Sequence, residues 1–140
     1  MIAVRLAESA VDRAAAIHRC ADVLEEIDAV QPSYRAAMLA RERTGSTYMG
    51  AGVAVPYGAD LARGLVRREA LAVLRFPDGV DWAGRPVLVC VAIAAGEDGY
   101  VELLAALADI LLDPARAAAL RSAEHPDQIM RMFCRARERS

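Results

Sequence analysis

Large rings are scarce in this chain: tryptophan, tyrosine and phenylalanine together supply 5% of its 140 residues. That excludes a core built on aromatic stacking. The 56% hydrophobic content, much of it alanine, points to helices and close packing of small side chains. Long apolar runs are also missing. The longest nearly charge-free stretch, residues 86–96, is too short to cross a bilayer, so membrane insertion is not expected. Clustered positive charge is absent as well. Net charge is -2 with both signs interspersed, which excludes the basic stripe of a nucleic-acid binder. Met1-Ile2-Ala3-Val4-Arg5 lacks a basic stretch leading into an apolar core, so no secretory signal is expected.

Cysteine pairing is a further absence. Cys20, Cys90 and Cys134 are odd in number and far apart, which fits neither a disulfide framework nor a metal site. They read as reduced thiols in a cytoplasmic protein, with Cys90 a small buried hydrophobe in a core strand. Gly50-Ala51-Gly52 has two glycines and leads into a strand, so it is not a nucleotide loop. Neither a metal nor a cofactor is expected.

What is present suits one domain, spanning 1–140, with a real core. Ser9 with Asp12 three residues on has capping-box spacing and predicts a helix from there to Ile27. Ala14, Ile17, Ala21, Leu24 and Ile27 share one face of it. Gln31-Pro32-Ser33 opens a second helix that Gly45 stops, with Tyr34, Met38 and Leu39 as its apolar surface. Residues 50–56 and 69–76 read as strands, the second ended by the turn signal Pro77-Asp78-Gly79. Residues 85–95 form the most hydrophobic strand, apolar on both faces and therefore interior. A loop over 96–99 precedes a helix over 100–112, with two shorter helices at 113–122 and 126–132 and a charged, frayed tail at about 135–140. Helices that precede, interrupt and follow a small sheet make one α/β domain of two or three layers.

The informative part is the middle. Ala37-Met38-Leu39-Ala40-Arg41-Glu42-Arg43-Thr44-Gly45-Ser46-Thr47-Tyr48-Met49-Gly50 runs into Ala51-Gly52-Val53-Ala54-Val55-Pro56-Tyr57-Gly58. This resembles the mannitol/fructose-type enzyme IIA of the bacterial sugar phosphotransferase system. That family has a helix ending in M-L-x-R-E, then S/T-x-T-Y-x-G, then a strand ending in P-H-G. Phe76-Pro77-Asp78-Gly79-Val80 is similar to the family's FPEGV stretch, and Val91-Ala92-Ile93-Ala94-Ala95 to the strand before its second histidine. The resemblance covers roughly residues 4–133.

It implies a small mixed sheet, of about five strands, flanked by helices on both faces, with the site at the end of the strand that reaches Pro56. In the family the P-H-G histidine takes a phosphoryl group from the phosphocarrier HPr and passes it to a sugar-permease domain. A second histidine lies before the next helix, and an arginine helps hold the phosphate. By position the arginine is Arg41, and the two histidine positions hold Tyr57 and Tyr100. Ser46, Tyr48, Glu97 and Asp98 are the other candidate contacts for a small anion. Capping is the simpler role for Ser46, packing for Tyr48, and a solvated loop for Glu97 and Asp98. An HPr-like carrier or a sugar-permease domain is the implied partner.

The departure matters chemically. Imidazole titrates near neutral pH, whereas a phenol of pKa about 10 is ionised in roughly one molecule in a thousand at pH 7. Tyrosine phosphate is an ester, and monoester hydrolysis is among the slowest reactions known. His18 and His125, the two histidines present, fall in no matched motif. Three readings stay open: a non-phosphorylated binding or regulatory protein, an enzyme using the tyrosines as acid or base on a small metabolite, and a phosphocarrier by another route.

Overall fold

The computed structural model describes residues 1–139, with Asp60, Leu61, Arg63, Glu97 and Arg139 described by backbone alone. The chain order is β1 (Ile2–Arg5), α1 (Arg13–Glu26), α2 (Tyr34–Thr44), β2 (Tyr48–Gly50), β3 (Val53–Ala54), a 3-10 segment (Asp60–Leu65), β4 (Ala70–Trp82), β5 (Arg85–Ala94), α3 (Glu97–Leu111), α4 (Pro114–Ser122) and α5 (Pro126–Arg139). One five-stranded mixed sheet runs in the order β1-β4-β5-β3-β2. β1 is parallel to β4 and β3 to β5, while β4 is antiparallel to β5 and β2 to β3.

Period-two alternation divides the buried strand residues between two cores. Ala70, Ala72, Leu74, Cys90, Ala92 and Ala94 face α1 and α2. Leu71, Val73, Val89, Val91 and Ile93 face α3, α4 and α5. Both faces are covered, so the expectation of a small mixed sheet between helical layers holds. Among the described residues no helix is long and apolar enough to cross a membrane.

Several local expectations are corrected. The first helix is capped by Asp12, whose carboxylate accepts from the Ala15 N–H at 2.8 Å, and not by Ser9. Ser9 sits in a segment that still runs along β4, since the Glu8 N–H donates to the Arg75 carbonyl. β1 was not foreseen. The run 50–56 is not one strand: it holds the last residue of β2 and all of β3, because Gly50, Ala51 and Gly52 all have positive φ and turn the chain between them.

Pro77-Asp78-Gly79 does not end β4. The strand carries an irregularity between Arg75 and Val80 and continues to the fully buried Trp82. Pro77 costs no ladder bond there: β1 pairs with β4 only as far as Leu74, and proline is tolerated at bulges and free edges. α3 begins at Glu97, so the supposed loop 96–99 supplies its cap and first turn. The tail is helical to Arg139, because Ile129, Phe133 and Ala136 bury one face of α5 against the second core.

Candidate functional site

The site lies where β3 and β5 end and α3 begins. The Ile93 N–H donates to the Pro56 carbonyl at 3.0 Å, and Tyr57 bridges in parallel to Ile93. The Tyr34 hydroxyl, on the first turn of α2, fastens the same crossing. It donates to the Ile93 carbonyl and accepts from the Gly58 N–H, each at 2.8 Å. Its ring is close enough to Gly58 that an added Cβ there would meet Tyr34 Cε1 at 2.7 Å. Burial pushes the Tyr34 phenol up to about 12, with the Gly58 N–H opposing the rise and the proximity of Tyr57 adding to it.

Tyr57 and Tyr100 then meet ring against ring. Their ring centroids are 4.5 Å apart at an interplanar angle of 35°, a tilted contact within the range of aromatic pairs. Tyr100 stands in the first turn of α3, its N–H bonded to the Gly96 carbonyl. Burial, then a side-chain hydrogen bond with Tyr57, raises its pKa above that of a free phenol, with Arg41 pulling the other way. At neutral pH Tyr100 is therefore a proton donor and not a base.

Arg41, in the last turn of α2, completes the group. Its Nε donates to the Tyr57 hydroxyl at 2.8 Å, and its Nη1 donates to the Gly45 carbonyl at 2.7 Å. The guanidinium carbon lies 5.0 Å from the Tyr57 ring centroid, within cation–π range. Among the described residues Arg41 forms no ion pair and its Nη2 makes no hydrogen bond. A guanidinium beside phenol hydroxyls can hold an oxyanion.

The remaining candidates are placed elsewhere. The Ser46 Oγ accepts from the Tyr48 N–H, a capping contact. The Tyr48 hydroxyl accepts from the Gly52 N–H at 3.2 Å, and the Arg85 guanidinium lies 5.2 Å from its ring centroid. The described contacts thus fix both residues in the β2–β3 hairpin and join neither to the tyrosine pair. Asp98 is exposed in the first turn of α3, where an acid complements the helix dipole. The Glu97 side chain falls outside the described residues. His18 is exposed on α1 against Arg35, and the His125 N–H bonds to Gln128 Oε1 before α5. Among the described residues no group of three or more histidine, cysteine or acidic side chains is placed to hold a metal ion. A cleft of about 580 Å³ between α1 and the β4 irregularity is lined by His18, Ala15 and Phe76 and includes none of Arg41, Tyr57 and Tyr100.

Sequence reasoning treated Tyr34 as apolar surface and passed over Glu42. The one available signal for Tyr34 was helical spacing, since Tyr34, Met38 and Arg41 fall at i, i+4 and i+7 on one face. Glu42 is 6% exposed. It accepts from the Thr47 N–H and the Trp82 Nε1–H, each at 3.1 Å, and from the Thr47 hydroxyl.

The family described as phosphoenolpyruvate-dependent sugar phosphotransferase system, EIIA 2, matches residues 2–135. The mannitol-specific phosphotransferase enzyme IIA component of Staphylococcus aureus (strain MRSA252) is 34% identical over 118 residues, covering 84% of this chain and 82% of that one. A multiphosphoryl transfer protein of Xanthomonas campestris is 39% identical over 128 residues; the match covers 91% of this chain but 15% of that protein's length. The fold matches enzyme IIA of the mannitol system in its complex with phosphorylated enzyme IIB from Escherichia coli, with a TM-score of 0.86, 25% identity, and coverage of 94% of this chain and 93% of that one. The crystal structure of the Escherichia coli mannitol IIA gives a TM-score of 0.84 at 25% identity, with coverage of 93% and 94%. On these matches, this chain belongs to the EIIA 2 family of the phosphoenolpyruvate-dependent sugar phosphotransferase system.

Proposed function

We propose that Tyr57 and Tyr100 occupy the two positions where this family carries histidine, and that the domain binds at this site without relaying a phosphoryl group. The observation that carries the reading is the Arg41 Nε contact to the Tyr57 hydroxyl at 2.8 Å. The cation expected to steady a phosphoryl group rests on a phenol, and a phenol is a poor acceptor and a worse donor of phosphate. Its ester is too stable to pass on, and only about one phenol in a thousand is ionised at neutral pH.

Arg41 and the two phenols suit a small oxyanion, free or presented by a partner. The domain would act in the cytoplasm as a non-phosphorylated binding or regulatory protein. It would dock an HPr-like carrier or a sugar-permease domain on the surface the family uses for transfer. In the enzymatic alternative the raised pKa of Tyr100 disfavours it as a base at neutral pH and leaves it the part of an acid on a small metabolite.

The test is phosphotransfer from labelled phosphoenolpyruvate through purified enzyme I and HPr. Wild type is expected to stay unlabelled, while a Tyr57→His, Tyr100→His variant takes up acid-labile, base-stable label. Acid-labile label on the wild type would overturn the reading and send the search to His18 or His125.

A further inference from the structure

Glu42 is a nearly buried carboxylate that the site as described does not use. It lies next to Arg41 in the last turn of α2. Both of its oxygens are engaged, Oε1 by the Thr47 hydroxyl and Oε2 by the Thr47 N–H and Trp82 Nε1–H. Arg13 of α1 approaches Oε2 at 3.6 Å. So many donors on one buried carboxylate make it a fixed point, because losing it leaves several buried polar groups without partners.

What that point fixes is the path of residues 44–47. α2 ends at Thr44, and Glu42 recaptures the chain at Thr47. The Thr47 carbonyl in turn accepts from the Val55 N–H at the end of β3. The short segment between carries the Gly45 carbonyl, which takes the Arg41 Nη1–H at 2.7 Å, and Thr44, whose hydroxyl donates back to the Arg41 carbonyl. A contiguous path therefore leads from Glu42 through Thr47 and Gly45 to the guanidinium, and from its Nε to Tyr57.

We propose that Glu42 is a positioning residue: by closing the 44–47 segment beneath the end of α2, it sets the direction in which Arg41 presents its guanidinium to Tyr57 and to a bound oxyanion. The anion part rests on the binding role proposed above; the orientation of Arg41 toward Tyr57 does not.

The experiment reads both parts separately on the whole chain. The Arg41 Nε–H resonance is assigned by its loss in Arg41→Lys and followed in ¹H–¹⁵N spectra without any anion. Inorganic phosphate is then titrated. Trp82, the single tryptophan, reports by its fluorescence whether the Glu42 contact is broken. In Glu42→Leu the Nε–H signal should broaden through exchange, and phosphate binding should weaken about tenfold. Glu42→Gln keeps the shape, an acceptor for the Trp82 and Thr47 N–H groups and a donor for the Thr47 hydroxyl, and should recover most of both. If Glu42→Leu does not fold, Thr47→Val, which removes the hydroxyl contact alone, should show the same broadening to a smaller degree.

The proposal fails if a folded Glu42→Leu leaves the Nε–H signal unchanged although Trp82 emission has shifted, or if Thr47→Val in its place leaves that signal unchanged. If the wild type binds no phosphate, the binding role falls, while the anion-free spectra still decide the part played by Glu42.

Discussion

Arg41 and Tyr57 are separated by 16 positions in the chain, and the guanidinium Nε of the first donates to the hydroxyl of the second at 2.8 Å. The contact ties the end of α2 to the end of β3, and through the tilted Tyr100 ring to the start of α3. It also seats a guanidinium on a phenol hydroxyl, a contact that orders Arg41 through a hydrogen bond.

The first prediction concerns the fork geometry of Arg41. If Nε rests on Tyr57 while the rest of the guanidinium takes an oxyanion, Arg41→Ala weakens inorganic phosphate binding by about ten- to a hundredfold, the range of a charge-assisted hydrogen bond. Arg41→Lys should restore only part of this, because an ammonium supplies charge without the planar fork. Binding isotherms for the three proteins measure it, and equal affinity of Lys and wild type would show that charge alone matters.

A second prediction follows from the buried phenols. Tyr34 is pushed up to about 12 and Tyr100 is also raised, so absorbance at 295 nm should show both ionising later than a free tyrosine. The consequence for stability has a definite sign. Below about pH 10 the folded and unfolded chains both keep the Tyr34 proton, and the protein is at full strength. Between about pH 10 and about 12 the unfolded chain releases the proton while the folded chain holds it, so stability falls as pH rises. For Tyr34 the loss is on the order of 2–3 kcal/mol. Tyr34→Phe should flatten that part of the alkaline profile. At neutral pH it should itself cost about 1–3 kcal/mol, since the Gly58 N–H and Ile93 carbonyl lose their shared hydroxyl. Urea unfolding at pH 7, 10 and 11 checks both effects.

Close packing at Gly58 gives a third. A Cβ there would stand 2.7 Å from Tyr34 Cε1 and 2.9 Å from Ala62 Cβ, so Gly58→Ala must displace the ring or the segment carrying Tyr57. The expected cost is about 1–3 kcal/mol, the usual range for overpacking, with a change in the Arg41 Nε–H resonance as Tyr57 moves. Thermal unfolding and the same ¹H–¹⁵N spectrum are the measurements; an unshifted Tm would mean that the Tyr34 ring yields freely.

The parts of the fold legible in the sequence are those whose signal is local and repeated. β5 is a ten-residue strand, apolar after Arg85, and its boundaries were found to within a residue. α2 carried both of its punctuation marks, Ser33 and Gly45. β1 carried none: four residues give no periodicity, and its identity as a strand depends on β4, far along the chain. At the site, nothing in the residues alone joined Arg41, Tyr57 and Tyr100; the family resemblance did. Glu42 stayed hidden because its charge predicts exposure, and only the donors gathered from Thr47, Trp82 and Arg13 make its burial tolerable.

The start of α1 supplies the last prediction, because sequence and structure choose different caps for it. Ser9 with Asp12 fits the capping-box spacing, yet the helix opens at Arg13, and Asp12 has the extended backbone, φ -158° and ψ 178°, that an N-cap requires. Its carboxylate takes the Ala15 N–H at 2.8 Å, and its negative charge sits at the positive end of the helix dipole. Ser9 is still held alongside β4 by the Glu8–Arg75 backbone bond and cannot reach the first turn in the same role. Asp12→Ala should therefore cost about 1 kcal/mol, and Asp12→Asn, which keeps the acceptor oxygen but not the charge, should recover most of it. Ser9→Ala should change stability by less than about 0.5 kcal/mol, as for an ordinary surface substitution. Chemical denaturation of the three variants separates the two caps, and a larger loss in Ser9→Ala than in Asp12→Ala would return the helix start to Ser9.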